Sequence, residues 1–387
     1  MSFFSKDKKN KAVVICVSEN GVQGAVIDLT QFNNRDVFLY KTNRKTSTKI
    51  GLKSLSKLKK NTDDVISELL NEEKRNGTKS NFFKNNKIEN FIFIVESPFQ
   101  YSYITKLSLE NQTPMKITDE FIKDVLEKQK PQSKDASSLN KDEPLVFIKK
   151  DIISVNLNGY PTSQLSEIEA RSIDLSIFSS VTPEKIAKTL YQLVKKRVPS
   201  ASVEFFSQDD VDLAFLNHFQ KKELYRYVKI NMSESLIAVI NKNVPVEIKH
   251  MKYGYIDLIE KIASEMDVPD FIAYSYVSMY FSNQCEKKFS EKIKAIVGPI
   301  LNTWEIEYEK EMKETPNRVY LNSSKLTEDY FKKILIKKYP ETDVSTLREL
   351  YSENIGSFSD DSELDLAVST HFINRVIQTR EQQSIEK

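Results

Sequence analysis

Apolar and polar positions along the chain follow two rhythms, period two and period three to four, and the changes between them outline the elements. Lys11–Leu29 reads as a strand, a tight turn at Glu19-Asn20-Gly21 and a returning strand, because Asn-Gly between apolar runs is a strong hairpin signal. Val37–Lys41 reads as a third strand and the basic stretch Thr42–Lys60 as a solvated loop. Asp63–Glu73 repeats apolar residues at helical spacing (Val65, Ile66, Leu69, Leu70). The Asn- and Lys-rich run Asn76–Asn90 is a loop, and Phe91–Glu96 is a buried strand closed by Pro98.

A different unit follows. Tyr101–Leu109 alternates as a strand, and Glu120–Lys130 has the spacing of a helix with Phe121, Ile122, Val125 and Leu126 inward. A polar insertion, Lys130–Glu143, precedes three strands at Leu145–Ile148, Ile152–Leu157 and Ala170–Phe178, with a turn at Asn158-Gly159. Thr182–Lys196 then reads as a helix with Thr182 at its cap and Pro183 in first position. Ser202–Ser207 is a strand and Val211–Gln220 a helix.

The stretch Tyr225–Ile240, YRYVKINMSESLIAVI, is a second hairpin. It enters through Tyr227, Val228 and Ile230 and leaves through the unbroken apolar run Leu236–Ile240, which predicts a strand buried on both faces. Its turn contains no glycine. Beyond it lie a strand at Val246–Met251, a helix at Tyr255–Met266, and two helical stretches from Asp270 to Glu314 with a break near Gly298-Pro299. A strand at Arg318–Leu321, a helix at Thr327–Lys337 and a final helix at Glu363–Arg375 precede a polar tail. Both halves therefore share one plan: a hairpin, another strand, then helices.

Composition narrows the classes. At 387 residues the chain is long enough for two or three domains of roughly 100–200 residues each. Charged residues make up 29% with a net charge of +2, which leaves no overall nucleic-acid footprint. Cys16 and Cys285 suggest neither a disulfide framework nor a zinc site, and His218, His250 and His371 lack partners at ligand spacing. No secretory signal or membrane-spanning run is visible, which predicts a cytoplasmic protein. Only 8 residues are Gly, against an average of about 7%, and phosphate loops need Gly so that backbone N–H groups can approach a phosphate.

The shared plan of the halves resembles the actin/Hsp70/hexokinase ATPase fold, and more narrowly its bacterial FtsA/PilM branch. The resemblance covers nearly the whole chain and is carried by element order more than by invariant residues. Lys116–Gln129, KITDEFIKDVLEKQ, is similar to the helix "I-T-x-x-D-I-x-x-V-L-x-x-A" of the small subdomain that interrupts the first half of FtsA-like proteins. Ile152–Gln164 is similar to the strand and turn after it, and Arg171–Lys195 to the return strand and next core helix. The fold implied is α/β: duplicated actin-like (ribonuclease H-like) domains with an inserted small α+β subdomain. The implied boundaries are 1–98 for the first half, 99–180 for the insertion and 181–224 for the return. The second half is 225–375 and the polar tail 376–387.

Three nucleotide motifs of that family can be laid onto the chain, and all three are degenerate. In the first phosphate hairpin, "D-I-G-S/T", the Asp falls on Cys16 and the Gly on Ser18, with Asn20 and Gly21 in the turn. In the second, "D-I-G-G-G-T-T-D", the leading Asp is Lys229, the glycines are Asn231, Met232 and Ser233, and Ser235 precedes Leu236 at the closing Asp. The adenosine motif "L-T-G-G" falls on Leu321-Asn322-Ser323-Ser324, while Gly254 is a family glycine still in place. A hard Mg²⁺ ion needs oxygen ligands, which a thiol and an ammonium do not supply.

The resemblance therefore implies a non-catalytic scaffold of FtsA/PilM type that organises a membrane-associated division or pilus-assembly complex, with no cofactor. The alternatives are a PilM-type docking protein for the tail of a pilus-assembly membrane protein, and an active ATPase or sugar-kinase relative binding ATP with Mg²⁺, which is disfavoured. Lys229 itself reads as an ordinary lysine at a strand edge, in preference to one that neutralises a phosphate in place of the metal. The implied partners are proteins, either a filament protein or the cytoplasmic tail of a membrane protein, with self-association as a further option. Any membrane contact at the inner face of the cytoplasmic membrane is expected to be indirect, since Gln378–Lys387 lacks an apolar face.

Overall fold

The computed structural model describes residues 11–28, 38–45, 55–76, 88–131, 143–162, 168–220, 223–310, 318–356 and 364–385. The expected insertion 130–143 and turn residues 163–167 lie largely outside them.

Two five-stranded sheets with one topology dominate. In the first, β1 (Lys11–Ser18), β2 (Gly21–Asp28) and β3 (Phe38–Lys45) run antiparallel. Helix α1 (Leu55–Asn76) follows, and β4 (Asn90–Val95) joins the other side of β1 in parallel. The chain leaves for the inserted unit and returns to complete the order β3-β2-β1-β4-β9.

The inserted unit is β5 (Tyr101–Ile117), α2 (Asp119–Lys128), β6 (Leu145–Leu157), β7 (Tyr160–Pro161) and β8 (Ile168–Pro183), with sheet order β5-β8-β6-β7. Helix α2 lays Ile122 and its neighbours on Ile117, Val155, Leu157, Ile173 and Leu175, which gives the insertion a core of its own. After α3 (Glu184–Arg197) and β9 (Ser202–Ser207), helix α4 (Gln208–Phe219) leads out of the first half.

The second sheet repeats the first. Its antiparallel strands are β10 (Leu224–Ile230), β11 (Ser235–Asn241) and β12 (Val244–Met251). Helices α5 (Tyr255–Met266), α6 (Asp270–Phe281) and α7 (Lys287–Lys310) precede β13 (Arg318–Ser323), α8 (Lys325–Lys338), β14 (Asp343–Thr346), α9 (Leu347–Asn354) and α10 (Leu364–Ile385). The order β12-β11-β10-β13-β14 matches the first sheet strand for strand, including parallel β10–β13 and β13–β14 pairs.

Three cores stabilise this arrangement. The first sheet packs Val13, Ile15 and Phe93 on α1 and α3, and the second packs Val228, Ile237 and Leu321 on α5 and α7. Between the sheets, Val14 and Cys16 meet Tyr227, Leu236 and Ala238 through side chains of α4 and α10, among them Leu216 and Val368. Leu236 and its successors are buried on both strand faces, apart from a half-buried Val239, as the continuous apolar run predicts.

Several local expectations are corrected. Residues 55–60 are helical rather than a solvated loop, because Leu58 is fully buried on the stripe with Val65, Ile66 and Leu69. Thr182 does not cap a helix: β8 runs to Pro183, α3 starts at Glu184, and the Thr182 hydroxyl donates to the Phe99 carbonyl at 2.7 Å. The helical break lies at residues 282–286 instead of Gly298-Pro299, since α7 passes through Pro299. A stripe of Ile293, Val297, Leu301, Trp304 and Tyr308, all buried, holds α7 together across a residue that costs about 3 kcal/mol in an isolated helix. Residues 376–385, expected as a tail, continue α10.

Candidate functional site

The site is built where the ends of β1, β4 and β10 meet the start of α4. Ser207 caps α4 by accepting from the Asp210 N–H at 3.2 Å, and Asp209 and Asp210 in the first turn suit the positive end of the helix dipole. Starting the helix at Gln208 rather than Val211 puts Asp209 and Asp212 in the space between the sheets. Lys229, on the central strand β10, points into the same space.

Its ammonium is 2.7 Å from Glu96 Oε1, 3.1 Å from Asp212 Oδ2 and 3.8 Å from Asp209 Oδ1. The side chains of Lys229, Asp209 and Asp212 are each at most 3% exposed. Lys229 is therefore not an ordinary lysine at a strand edge. Isolated, a charge this deep would lose several kcal/mol of hydration, and only close carboxylates offset that. Burial opposes the Lys229 charge, but Asp212 and Glu96 outweigh it and hold its pKa well above the usual lysine range. Burial pushes the Glu96 carboxyl up to about 7, although Lys229 pulls the other way and Asp365 adds to the rise.

Neutral side chains complete the cluster. Tyr227 donates its hydroxyl to Asp212 Oδ2 at 2.6 Å, and Gln208 Nε2 donates to Asp212 Oδ1 at 2.8 Å. Asn322 Nδ2 lies 3.2 Å from the Tyr227 hydroxyl and 3.4 Å from Asp212. Gln208 accepts in turn from Ser369 at 3.3 Å, and Ser369 Oγ accepts from the Cys16 thiol at 3.6 Å. A continuous chain thus joins Cys16 to Lys229. Burial pushes the Cys16 thiol up, so it stays protonated.

Further bonds cross between the halves beside this cluster. Ser97 donates to Glu234 Oε1 at 2.6 Å, and Tyr255 donates to Asn20 Oδ1 at 2.7 Å. His250 Nε2 lies 2.8 Å from the Ser102 carbonyl, with Nδ1 3.4 Å from Glu234 and the ring stacked on Tyr101. Burial works against a charge on His250, but the Glu234 carboxylate raises its pKa above the ordinary histidine value. On α4, Gln100 Nε2 donates to Asp209 Oδ2 at 2.7 Å, and Lys149 of the inserted unit bonds Asp210 at 2.7 Å.

Solved structures resemble this arrangement. One, described as a PilM-PilN type IV pilus biogenesis complex, matches at a TM-score of 0.61 and 10% identity over 94% of this chain and 98% of that one. The chain has the actin-like ATPase fold. Weaker likenesses include MreB 5 of Spiroplasma citri bound to AMPPNP (TM-score 0.48, 8% identity, 97% of this chain and 99% of that one). Another is the ethanolamine utilization protein EutJ from Carboxydothermus hydrogenoformans (TM-score 0.44, 10% identity, 92% and 89%). No protein-family model matches the sequence, and no curated protein matches it significantly.

Most positions that the resemblance assigns to nucleotide motifs are engaged internally, whereas the buried Ser233 hydroxyl has no hydrogen-bond partner among the described residues. Ser18 Oγ accepts from the Asn20 N–H at 3.2 Å within the first turn, where Gly21 has a φ of 148°. In the second turn the Asn231 N–H donates to the Glu234 carbonyl at 2.9 Å, and Met232 is 7% exposed within the core. Tyr255 and Ile256, at the start of α5, donate their N–H groups to the carbonyls of Asn231 (3.2 Å) and Met232 (2.8 Å). The helix N-terminus that could face an anion faces the hairpin turn instead. Gly254 permits this contact, because a Cβ there would collide with the Met232 carbonyl.

Ser235 donates to the Tyr253 carbonyl at 2.6 Å and accepts from Trp304 Nε1 at 3.1 Å, which directs it away from Lys229. Ser233 is half-buried beside it in the turn. Ser323 pairs with Thr327 at 2.6 Å at the start of α8. Of the candidate residues, the fold brings Lys229 and Asn322 together on Asp212, and Cys16 joins them through Ser369 and Gln208. Asn20 and Gly254 meet through Tyr255, while Ser235 is taken up by Tyr253 and Trp304 and Ser323 by Thr327.

Sequence reasoning missed the carboxylates. Glu96 reads as the end of a buried strand, and Asp209 and Asp212 as the polar start of an amphipathic helix. The available signal was Ser207 followed by Gln208, Asp209 and Asp210, a capped helix start placing acidic residues in its first turn.

Proposed function

We propose that this chain is a non-catalytic scaffold of the actin-like fold, which works through protein–protein contacts and does not turn over ATP. The single observation that carries the reading is Lys229, an ammonium bonded to Glu96 and Asp212 at the place where the family resemblance puts a metal-holding carboxylate. A cation fixed there repels Mg²⁺, and the thiol of Cys16 at the other such place offers no oxygen ligand. The α5 N–H groups bonded to the second turn are likewise unavailable to phosphate oxygens.

The partner we propose is the cytoplasmic tail of a membrane protein, bound at the inner face of the cytoplasmic membrane. Support comes from the PilM neighbour, whose solved structure is a complex with PilN in type IV pilus biogenesis. No helix among the described residues is long and apolar enough to cross a membrane, which fits an indirect association.

Titration calorimetry with ATP and Mg²⁺ tests the first part, with no heat of binding expected. Micromolar, Mg²⁺-dependent binding would instead support an active ATPase with unusual phosphate loops. Affinity capture tests the second part: recovery of a soluble filament protein in place of a membrane-protein tail would redirect the reading toward a cytoskeletal role.

A further inference from the structure

Helix α6 is apolar all round. Its sequence, DFIAYSYVSMYF, carries one charged side chain, Asp270 at the first position. A helix of that kind is ordinarily buried on every side. Here only Ala273 and Val277 are fully buried, while Tyr276 packs on Phe289 of α7 and Phe281 on Tyr330 of α8. The opposite side is open: Phe271, Tyr274 and Met279 are 50%, 44% and 37% exposed. Single exposed apolar residues are common on any surface, but α6 is the one element that gathers several of them among the described residues.

The open side is a stripe at helical spacing: Phe271, Tyr274, Ser275, the half-buried Ser278, Met279 and Ser282. The Ser275 hydroxyl donates to the Phe271 carbonyl at 3.0 Å, and the Ser282 hydroxyl to the Ser278 carbonyl at 2.8 Å. These serines therefore present small surfaces whose polar groups are already satisfied, and covering them costs little. The stripe has the same spacing in both directions about a point between Ser275 and Ser278. An antiparallel copy centred there sets Phe271 opposite the second copy's Ser282, and Ser275 opposite the second copy's Ser278. Tyr274 then meets the second copy's Met279, a favourable sulfur–aromatic contact.

The charges at the two ends follow the same symmetry. Asp267 and Asp270 are exposed at the start of α6. Its other end leads through residues 282–286 to Lys287 and Lys288, both exposed, which outnumber Glu286 beside them. Antiparallel packing brings each acidic end to a basic one and opposes the two helix dipoles. A lipid surface fits this stripe less well, because no lysine or arginine lies along it.

We propose that α6 is the contact surface of a two-fold homodimer, in which a second copy of this chain lies antiparallel across Ser275 and Ser278. Such a contact uses the same patch on both copies, so it closes at the pair and builds no filament. One helix pair is at the small end of specific interfaces, which sets an expected dissociation constant on the order of 10–100 µM. The inference is independent of the scaffold reading, since none of these residues belongs to the Lys229 cluster. Nucleotide binding would sink that reading and leave the dimer standing.

Sedimentation equilibrium of the full chain tests the proposal over a range of about 5–500 µM, which brackets the expected constant. The unaltered protein should pass from monomer to dimer, and Tyr274→Glu should stay monomeric. Charge reversal gives a second arm that reads a gain of association. The double variants Asp267→Lys with Asp270→Lys, and Lys287→Glu with Lys288→Glu, should each be monomeric, while their equal mixture should dimerise at least as tightly as the unaltered protein. Every altered side chain is exposed, so the fold is not at risk. A protein that stays monomeric throughout overturns the proposal, as does a dimer that survives Tyr274→Glu or a mixture that fails to associate. Binding of the unaltered protein to phosphatidylglycerol vesicles, lost in Tyr274→Glu, would also overturn it by assigning α6 to a membrane.

Discussion

The hairpins β1–β2 and β10–β11 occupy equivalent places in two sheets of identical strand order, yet they hold their turns by different means. In the first, local chemistry sets the turn, with Gly21 at positive φ and Ser18 bonded to the Asn20 N–H, and the Tyr255 hydroxyl adds a bond to Asn20 from outside. In the second, no glycine relieves the turn. Its shape comes from outside, through α5 N–H groups on the Asn231 and Met232 carbonyls and through Met232 buried in the core. Cys16, two residues before the end of β1, is a neutral thiol, while Lys229, the last residue but one of β10, is an ammonium facing three carboxylates. A turn and a charge held by tertiary contacts make the second hairpin the place where stability and the joining of the halves are concentrated.

That contrast is broken most directly at its charged end. Lys229→Ala should cost about 3–5 kcal/mol in denaturant unfolding, because it leaves buried carboxylates uncompensated, whereas Cys16→Ala should cost about 1 kcal/mol. Equal losses would mean that the two hairpins contribute alike. The next effect is at the α5 contact. Gly254→Ala forces a Cβ into the Met232 carbonyl and should cost about 1–3 kcal/mol, with increased exchange of the Tyr255 and Ile256 amides. A smaller loss, about 1 kcal/mol, is expected for Tyr255→Phe, which removes the bond to Asn20 and with it one link between the turns.

The smallest effect is a slope with pH. The Glu96 carboxyl sits at about 7 when folded, above its ordinary value of 4.5, so its protonated form favours folding. Its contribution is fully present below pH 4.5 and is lost as pH rises through about 7. His250, raised above 6.5 when folded, acts in the same direction: its contribution is present below 6.5 and is lost at higher pH. Glu96→Gln should therefore flatten the decline of melting temperature between pH 4.5 and 7 relative to the unaltered protein. An identical slope in the two proteins would show that Glu96 titrates normally.

Much of the architecture is legible along the chain. Asn20-Gly21 between apolar runs announces the first hairpin, and the unbroken run Leu236–Ile240 announces a strand covered on both faces, since such patterns record burial directly. The absence of glycine from the turn of the second hairpin is legible as well, because it concerns residue identity alone. Misreadings fall where local rules met stronger tertiary terms. Pro299 suggests a break that the buried stripe from Ile293 to Tyr308 overrides, and Thr182-Pro183 suggests a helix start that the β8 ladder takes instead. The short β14 and α9 carry too few residues for a periodic signal.

Lys229 marks the limit. The sequence by itself determined two matching halves, an insertion with its own core, and the absence of carboxylates at the two positions that hold a metal in the resembling family. Only the tertiary structure decided what replaced them. Glu96, Asp209 and Asp212 come from a strand end and a helix start, each of which has a sufficient local explanation for its polarity. Nothing in a linear pattern records that these carboxylates converge on one ammonium, because burial and distance exist only once both sheets have closed on α4.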